Sequence, residues 1–136
     1  MLHHLPPVDD VFAEVGAGLA SAVTEAQGRG VRAESIAIDP GIGFGKSHEQ
    51  NLQLIARLDV IRRKFQDYPL IVGTSRKSFI GRLLGDASTE ERLHGTMATV
   101  TATVLNGADI VRVHDVKAAV DTVRVAEAIR SVRVDV

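Results

Sequence analysis

Ser35-Ile36-Ala37-Ile38-Asp39-Pro40-Gly41-Ile42-Gly43-Phe44-Gly45-Lys46-Ser47-His48-Glu49-Gln50 holds the order on which the fold turns: an apolar run, a glycine-rich stretch, then a helix start. Residues 35–39 are few and nearly all apolar, the composition of a strand buried on both faces. Ser47 with Gln50 three positions later has the form of a capping box, in which side chains satisfy the open N–H groups of a first helical turn. Behind it Leu54, Leu58, Ile61 and Phe65 recur at i, i+4, i+7 and i+11, one face of a helix. The same order returns twice. Residues 70–73 predict a second buried strand, introduced by Pro69, and residues 88–91 form another capping box. Leu93, Met97, Val100 and Val104 follow at helical spacing until Asn106-Gly107 stops them. Residues 109–113 predict a third strand, and Asp115 is placed to cap a last helix carrying Val116, Val120, Val123 and Ala126.

Upstream, Phe12, Val15, Leu19, Ala22, Val23 and Ala26 make a helical face after a cap at Asp9, closed by Gly28 and Gly30. Helices alternating with strands imply parallel pairing through right-handed crossovers, an α/β architecture. Three strands barely make a sheet. The spacing of about 35–40 residues per strand–helix unit matches what a (β/α)8 barrel of roughly 250 residues spends on each. The chain is 136 residues long, so the expected fold is half of such a barrel, in one domain over 1–136.

Composition narrows the function classes. With 45% hydrophobic and 24% charged residues the chain is of ordinary globular type, which argues against disorder. Sixteen Lys and Arg against seventeen Asp and Glu leave a net charge of -1, so no global field favours nucleic acid or anionic membrane. The absence of cysteine excludes disulfides, thiolate metal sites and a cysteine nucleophile. Four Phe, one Tyr and no Trp disfavour a base-stacking surface. No run approaches the ~18 apolar residues of a membrane span, and residues 1–7 do not read as a signal peptide, so the expected location is the cytoplasm. His3 and His4 would face opposite ways on a strand and are read as a strand tip rather than metal ligands. Arg62-Arg63-Lys64 reads as a solvated cationic helix end that complements the macrodipole.

In α/β folds chemistry gathers where strands end, and each strand here ends in polar or glycine-rich sequence. In residues 39–46, Asp39 offers a carboxylate to the paired N–H donors of a guanidine-like heterocycle edge, and Phe44 offers a face to an aromatic ring. The plainer alternative is a glycine-rich turn capped by Asp39; it is not a phosphate-binding P-loop, because Pro40 stands where that motif needs glycine. In residues 73–81, Arg76 and Lys77 beside Ser75 and Ser78 suit an anion or a polarised carbonyl, and Ser78 at a helix start can receive a carboxylate. The alternative there is a solvated basic turn. In residues 112–116, alternation sends Arg112 and His114 to the same side, an arrangement for phosphate. A structural pairing of His114 with Asp115 and an acid–base role for His114 stay open beside it. The Gly-x-Ser-x-Gly nucleophile elbow is missing from the sequence.

Taken together, residues 39–46, 75–81 and 112–116 resemble dihydropteroate synthase in order and separation, and Glu91-Arg92-Leu93-His94-Gly95-Thr96 and Asn106-Gly107-Ala108-Asp109 are similar to its seventh crossover and eighth strand. The resemblance runs from about Asp10 to the end. It implies the C-terminal half of a pterin-binding (β/α)8 barrel, from the end of strand five to helix eight, with no counterpart here of the family's first four strands. It also implies the joining of 6-hydroxymethyl-7,8-dihydropterin diphosphate to p-aminobenzoate in folate biosynthesis. By motif, Asp39 and Lys77 would bind the pterin, and Arg112 and His114 the diphosphate. Phe44, Gly45, Ser75, Arg76 and Ser78 would wall the p-aminobenzoate site, where sulfonamides compete. Lys77, Arg112 and His114 would be the catalytic groups, and Mg2+ would accompany the diphosphate. The later helices imply a homodimer. Two other readings stand beside this one: a non-catalytic half-barrel that pairs with itself or with a full-length synthase, and a pterin-binding methyltransferase domain. An isolated half would expose open sheet edges.

Overall fold

The apolar runs become neighbouring parallel strands over only a few residues each. In the computed structural model, which describes residues 8–132, Ile38 bridges Leu70 in parallel. Strand β1 (Ile71–Val72) pairs in parallel with β2 (Ile110–Val111), in the register Ile71 with Ile110 and Val72 with Val111. The Ile38 N–H donates to the Pro69 carbonyl at 2.9 Å, and the Ile71 N–H to the Ile38 carbonyl at 2.8 Å. On the other side the Arg112 N–H donates to the Val72 carbonyl at 3.0 Å. The segment 70–72 therefore lies in the middle, and Leu70 is fully buried there.

The expected strand at residues 35–39 shrinks to the single bridge at Ile38. Ser35 belongs to a short 3-10 turn (Ala33–Ser35), Ala37 is exposed and Ile38 buried, so the run alternates instead of being covered on both faces. Pairing on one side only, at the edge of the described sheet, gives the other residues no ladder to join.

Around these strands lie α1 (Val8–Gly28), α2 (His48–Ala56), α3 (Leu58–Lys64), α4 (Ser78–Leu83), α5 (Leu93–Leu105) and α6 (Val116–Ser131). Asp9 sits inside α1, which begins before it, and Ala22 of the expected inner face is exposed. The reading of His3 and His4 lies outside the described residues. The Ser47–Gln50 capping box forms with both arms, the Gln50 N–H reaching Ser47 Oγ at 3.1 Å and the Ser47 N–H reaching Gln50 Oε1 at 3.0 Å. The helix it starts is broken at Arg57, which leaves helical geometry with φ -126° and ψ 40°. Leu54, Leu58, Ile61 and Phe65 are nonetheless all buried, because the break re-aims α3 onto the same core. At Ser88 the N–H donates to Glu91 Oε2 at 3.2 Å, but this box starts a 3-10 turn (Thr89–Glu91) ahead of α5. Gly107, with φ +113°, closes α5 as expected.

Among the described residues two apolar clusters result. The larger joins α1, α2, α3, α4 and the strands around Val11, Ile42, Leu54, Leu58, Leu70 and Ile80. The smaller lies between α5 and α6, around Val100, Val104 and Ala126 with Val123 against them, and Val111 packs on both. The inner face of α6 is thus Ala119, Val123 and Ala126; Val116 and Val120, expected inward, point out with Val125, Ile129 and Val132. Arg62 also departs from its solvated reading. Its guanidinium pairs with Asp109 and donates to the Phe65 and Tyr68 carbonyls at 2.6 Å each. Asp109 in turn accepts the Leu70 N–H at 2.8 Å, so Arg62 ties the end of α3 to the central strand. No described helix is long and apolar enough to cross a membrane.

Candidate functional site at the strand ends

The loops after Ile38, β1 and β2 meet on one side of the sheet, because parallel strands deliver their C-terminal ends together. Asp39 leaves the first strand with one carboxylate oxygen accepting the Gly41 N–H at 2.8 Å. Its other oxygen lies 3.6 Å from Arg112 Nη2 in the third loop. Arg112 lies against Gly73, where an added Cβ would sit 2.8 Å from its Nη2. Lys77, from the second loop, reaches into the first: Nζ donates to the Ile42 carbonyl and stands 4.5 Å from the centre of the Phe44 ring. Asp39, Lys77 and Arg112 therefore form one charged group drawn from three loops.

Gly43 makes room for this arrangement. Its φ is +86°, in the region side chains avoid, and a Cβ there would lie 2.7 Å from Lys77 Cδ. Its N–H is held by Asn51 Oδ1 at 2.7 Å. Phe44 stays 66% exposed at the loop tip. Burial of the Lys77 ammonium lowers its pKa, Arg112 and Lys46 push the same way, and Asp39 opposes them. Lys46 is lowered too, again chiefly by burial, with Glu14 and Asp39 opposing.

Ser75, His114, Arg76 and Asp115 make a second set. Ser75 Oγ lies 2.7 Å from His114 Nδ1 and accepts the His114 backbone N–H at 3.1 Å. Arg76 gives Nε and Nη2 to the two Asp115 oxygens at 3.2 and 2.9 Å. Asp115 stands at the N-cap of α6 as expected, but its carboxylate is turned to Arg76 and caps no N–H of the helix. Arg76 is left-handed at φ +57°, a conformation held from several sides. Its N–H donates to Thr96 Oγ1 at 3.0 Å, and its carbonyl accepts Arg92 Nη1 at 2.8 Å. Ser78 opens the six-residue α4 and is exposed, while Lys77 is its N-cap.

Of the expected site residues, Asp39, Phe44, Lys77 and Arg112 come together directly, and Ser75 joins His114. Arg76 spends its charge on Asp115. Sequence reasoning gave no role to Lys46, Asn51, Thr96 or Arg92. Lys46 holds the first loop through the Gly41 and Phe44 carbonyls at 2.8 and 3.1 Å. A signal existed for Asn51 and Thr96: both are polar at buried helical positions, where an unpaired side chain would be costly.

The Arg76–Asp115 pair sets a pH dependence. The hydrogen bonds from Arg76 hold the Asp115 carboxyl below its ordinary 3.8, with burial opposing and the charges of Arg76 and His114 assisting. A carboxyl whose pKa is depressed on folding stabilises the fold above its unfolded value and loses that contribution as pH falls through the folded value. Asp115→Asn should therefore lower stability near neutral pH and shrink the difference from the unsubstituted chain in acid. Denaturant unfolding at both pH values measures this; an equal difference at both would remove the pair as its source.

Among the described residues the donor set does not fit a resident divalent cation. Asp39 and Glu14 are the carboxylates that act on Lys46, while Lys77 and Arg112 add two more positive charges, and the described residues hold no group of three or more His, Cys, Asp or Glu able to bind a metal.

Comparison with known proteins shows the family and the fold. The family model described as pterin binding enzyme matches residues 3–114. The chain is 42% identical over 128 residues to the dihydropteroate synthase of Synechocystis sp., covering 94% of this chain and 44% of that protein. Among solved structures, the dihydropteroate synthase of Coxiella burnetii in complex with pteroic acid superposes with a TM-score of 0.88 at 32% identity, covering 93% of this chain and 47% of that one. The enzyme from Xanthomonas albilineans in complex with 7,8-dihydropteroate gives 0.85 at 39% identity, over 96% and 51%. The chain thus spans about half the length of the relatives it matches, and its fold is that of half a (β/α)8 barrel.

Proposed function

Since the chain belongs to the pterin-binding enzyme family, we propose that it is the pterin- and diphosphate-binding half of a dihydropteroate synthase. The observation that carries this reading is the joining of the three loops through Asp39, Lys77 and Arg112, which gathers a carboxylate, an ammonium and a guanidinium, the ammonium lying over the exposed Phe44 ring. A pterin presents paired N–H donors, a carbonyl and a flat ring, and a diphosphate presents anionic oxygens, so the set is complementary to both parts.

In the reaction the C–O bond between the pterin methylene and the diphosphate breaks, its electron pair leaving on oxygen. The p-aminobenzoate nitrogen then forms the C–N bond and gives up one proton. Such a step asks for stabilised charge more than for a strong base. Arg112 and His114 hold the charge that develops on the departing diphosphate. Asp39, which keeps one oxygen on the Gly41 N–H, turns the other from Arg112 to the pyrimidine N–H edge. Lys77, already partly desolvated, moves from the Ile42 carbonyl to the pterin carbonyl and ring nitrogen. Phe44 and Gly45 with Ser75, Arg76 and Ser78 wall the p-aminobenzoate site, the place where sulfonamides compete. Ser75 and Arg76 act there through shape, since His114 and Asp115 engage their polar groups. Mg2+ would enter as part of the diphosphate substrate and would supply charge neutralisation there, with Arg112 and His114 contacting the anion's remaining oxygens.

The reading places the domain over 1–136 in the cytoplasm and, through the later helices, in a homodimer. The outward valines of α6 support the last point, with Val116 and Val125 more than half exposed. Calorimetric titration of the chain with 6-hydroxymethyl-7,8-dihydropterin diphosphate and Mg2+ tests the reading. Saturable binding is expected; a folded sample giving no heat would make the chain a half-barrel that inherits the motifs without a working site.

A further inference from the structure

Ser75 touches His114 twice, and the two contacts together carry information about a proton. A serine hydroxyl has one hydrogen to give and can accept two. The His114 backbone N–H, at 3.1 Å, uses an acceptor site on Ser75 Oγ. The 2.7 Å contact between Oγ and Nδ1 holds one hydrogen, which belongs either to the hydroxyl or to the ring. Ser75 is buried at 7% exposure, and its side-chain partners among the described residues are both on His114. If the ring nitrogen donated, the hydroxyl hydrogen would be left buried without an acceptor, the costlier arrangement. We infer that Ser75 donates to Nδ1 and so holds neutral His114 as the tautomer protonated at Nε2.

The consequence lies at the site. With Nδ1 engaged by Ser75, Nε2–H is the ring's remaining donor, and His114 is exposed at the strand end that also carries Arg112. A ring protonated at Nδ1 would present a lone pair at Nε2 instead, which repels an anionic oxygen. Ser75 is thus a positioning residue that acts through His114. Its effect on ligand rests on the reading of Arg112 and His114 as the diphosphate holders; its effect on the tautomer does not.

Long-range nitrogen–proton correlation spectra of the full chain test the inference, read at the pH where the ring is neutral. Nδ1 should show the shift of an unprotonated, hydrogen-bonded nitrogen and Nε2 that of a protonated one. Ser75→Ala should release His114 toward the tautomer mixture of free imidazole, and Ser75→Thr, which keeps the hydroxyl, should restore the single tautomer. Inorganic diphosphate should bind about tenfold more weakly to Ser75→Ala, the order found for groups that orient ligating histidines, and within about twofold to Ser75→Thr. A ring protonated at Nδ1 in the unsubstituted chain, or spectra unchanged by Ser75→Ala, would overturn the inference. The expected spectra from a chain that binds no diphosphate would uphold the tautomer lock and remove the functional reading instead.

Discussion

Lys77→Ala is expected to abolish binding of 6-hydroxymethyl-7,8-dihydropterin diphosphate at concentrations that saturate the unsubstituted chain. Two losses act in the same direction. A hydrogen bond from an ammonium is worth about 1.5–3 kcal/mol, so its removal alone weakens binding by roughly ten- to a hundredfold. The substitution also frees the first loop, because Lys77 is what joins the Ile42 carbonyl and the Phe44 ring to the second loop. Folding should suffer little by comparison, since burial already disfavours the charged form of Lys77. Lys77→Met separates the two losses: it keeps the stem that packs beside Gly43 and removes only the charge. Calorimetric titration of both variants, with denaturant unfolding as the control, measures the effect. Unchanged affinity in either variant would take Lys77 out of the site.

Leu70→Ala should destabilise the fold by about 2–5 kcal/mol, the range for emptying a fully buried leucine position. Leu70 lies in the central segment with no exposed surface, and its backbone bonds to Asp109 and Ile110 survive the change, so the loss is one of packing. Ile110, one strand away, is 45% exposed. Ile110→Ala is the internal comparison and should cost about 0.5 kcal/mol or less, as surface changes do. Urea unfolding midpoints of the two variants give the measurement. Equal losses would mean that the sheet is covered on the Ile110 side in solution, for example by a second copy of the chain.

The order of elements was legible because hydrophobic period and capping chemistry are local. Ser47 and Gln50 form the expected box, and Gly107 ends α5 where Asn106-Gly107 predicts. What was not legible depends on neighbours distant in sequence. Ala37 reads as a buried strand residue, yet it is exposed, and the strand reduces to the bridge at Ile38. Arg57 has no breaker chemistry, but turning there lets Leu54 and Leu58 both reach the core. Asp115 has the identity and position of a cap, and only the approach of Arg76, 39 residues away in sequence, shows where its carboxylate goes. The loops were found by residue type, and Asp39, Lys77 and Arg112 do converge. The ties of Ser75 to His114 and of Asn51 to Gly43 needed coordinates, because the residue type of a loop serine or a helical asparagine does not say which of many polar groups its side chain will meet.

The closeness of Asp39 to Arg112 has a thermodynamic side. With no ligand bound, the group read as the heterocycle acceptor and the group read as the anion donor partly neutralise each other. A ligand carrying only one of the two complementary parts separates them and leaves the other uncompensated. A ligand carrying both separates them once and compensates each. The pterin and diphosphate halves of one molecule should then bind more favourably joined than their separate affinities suggest, beyond the gain from linkage itself. The coupling is bounded by the worth of a partly exposed ion pair, about 0.2–1 kcal/mol, so the excess is at most roughly fivefold.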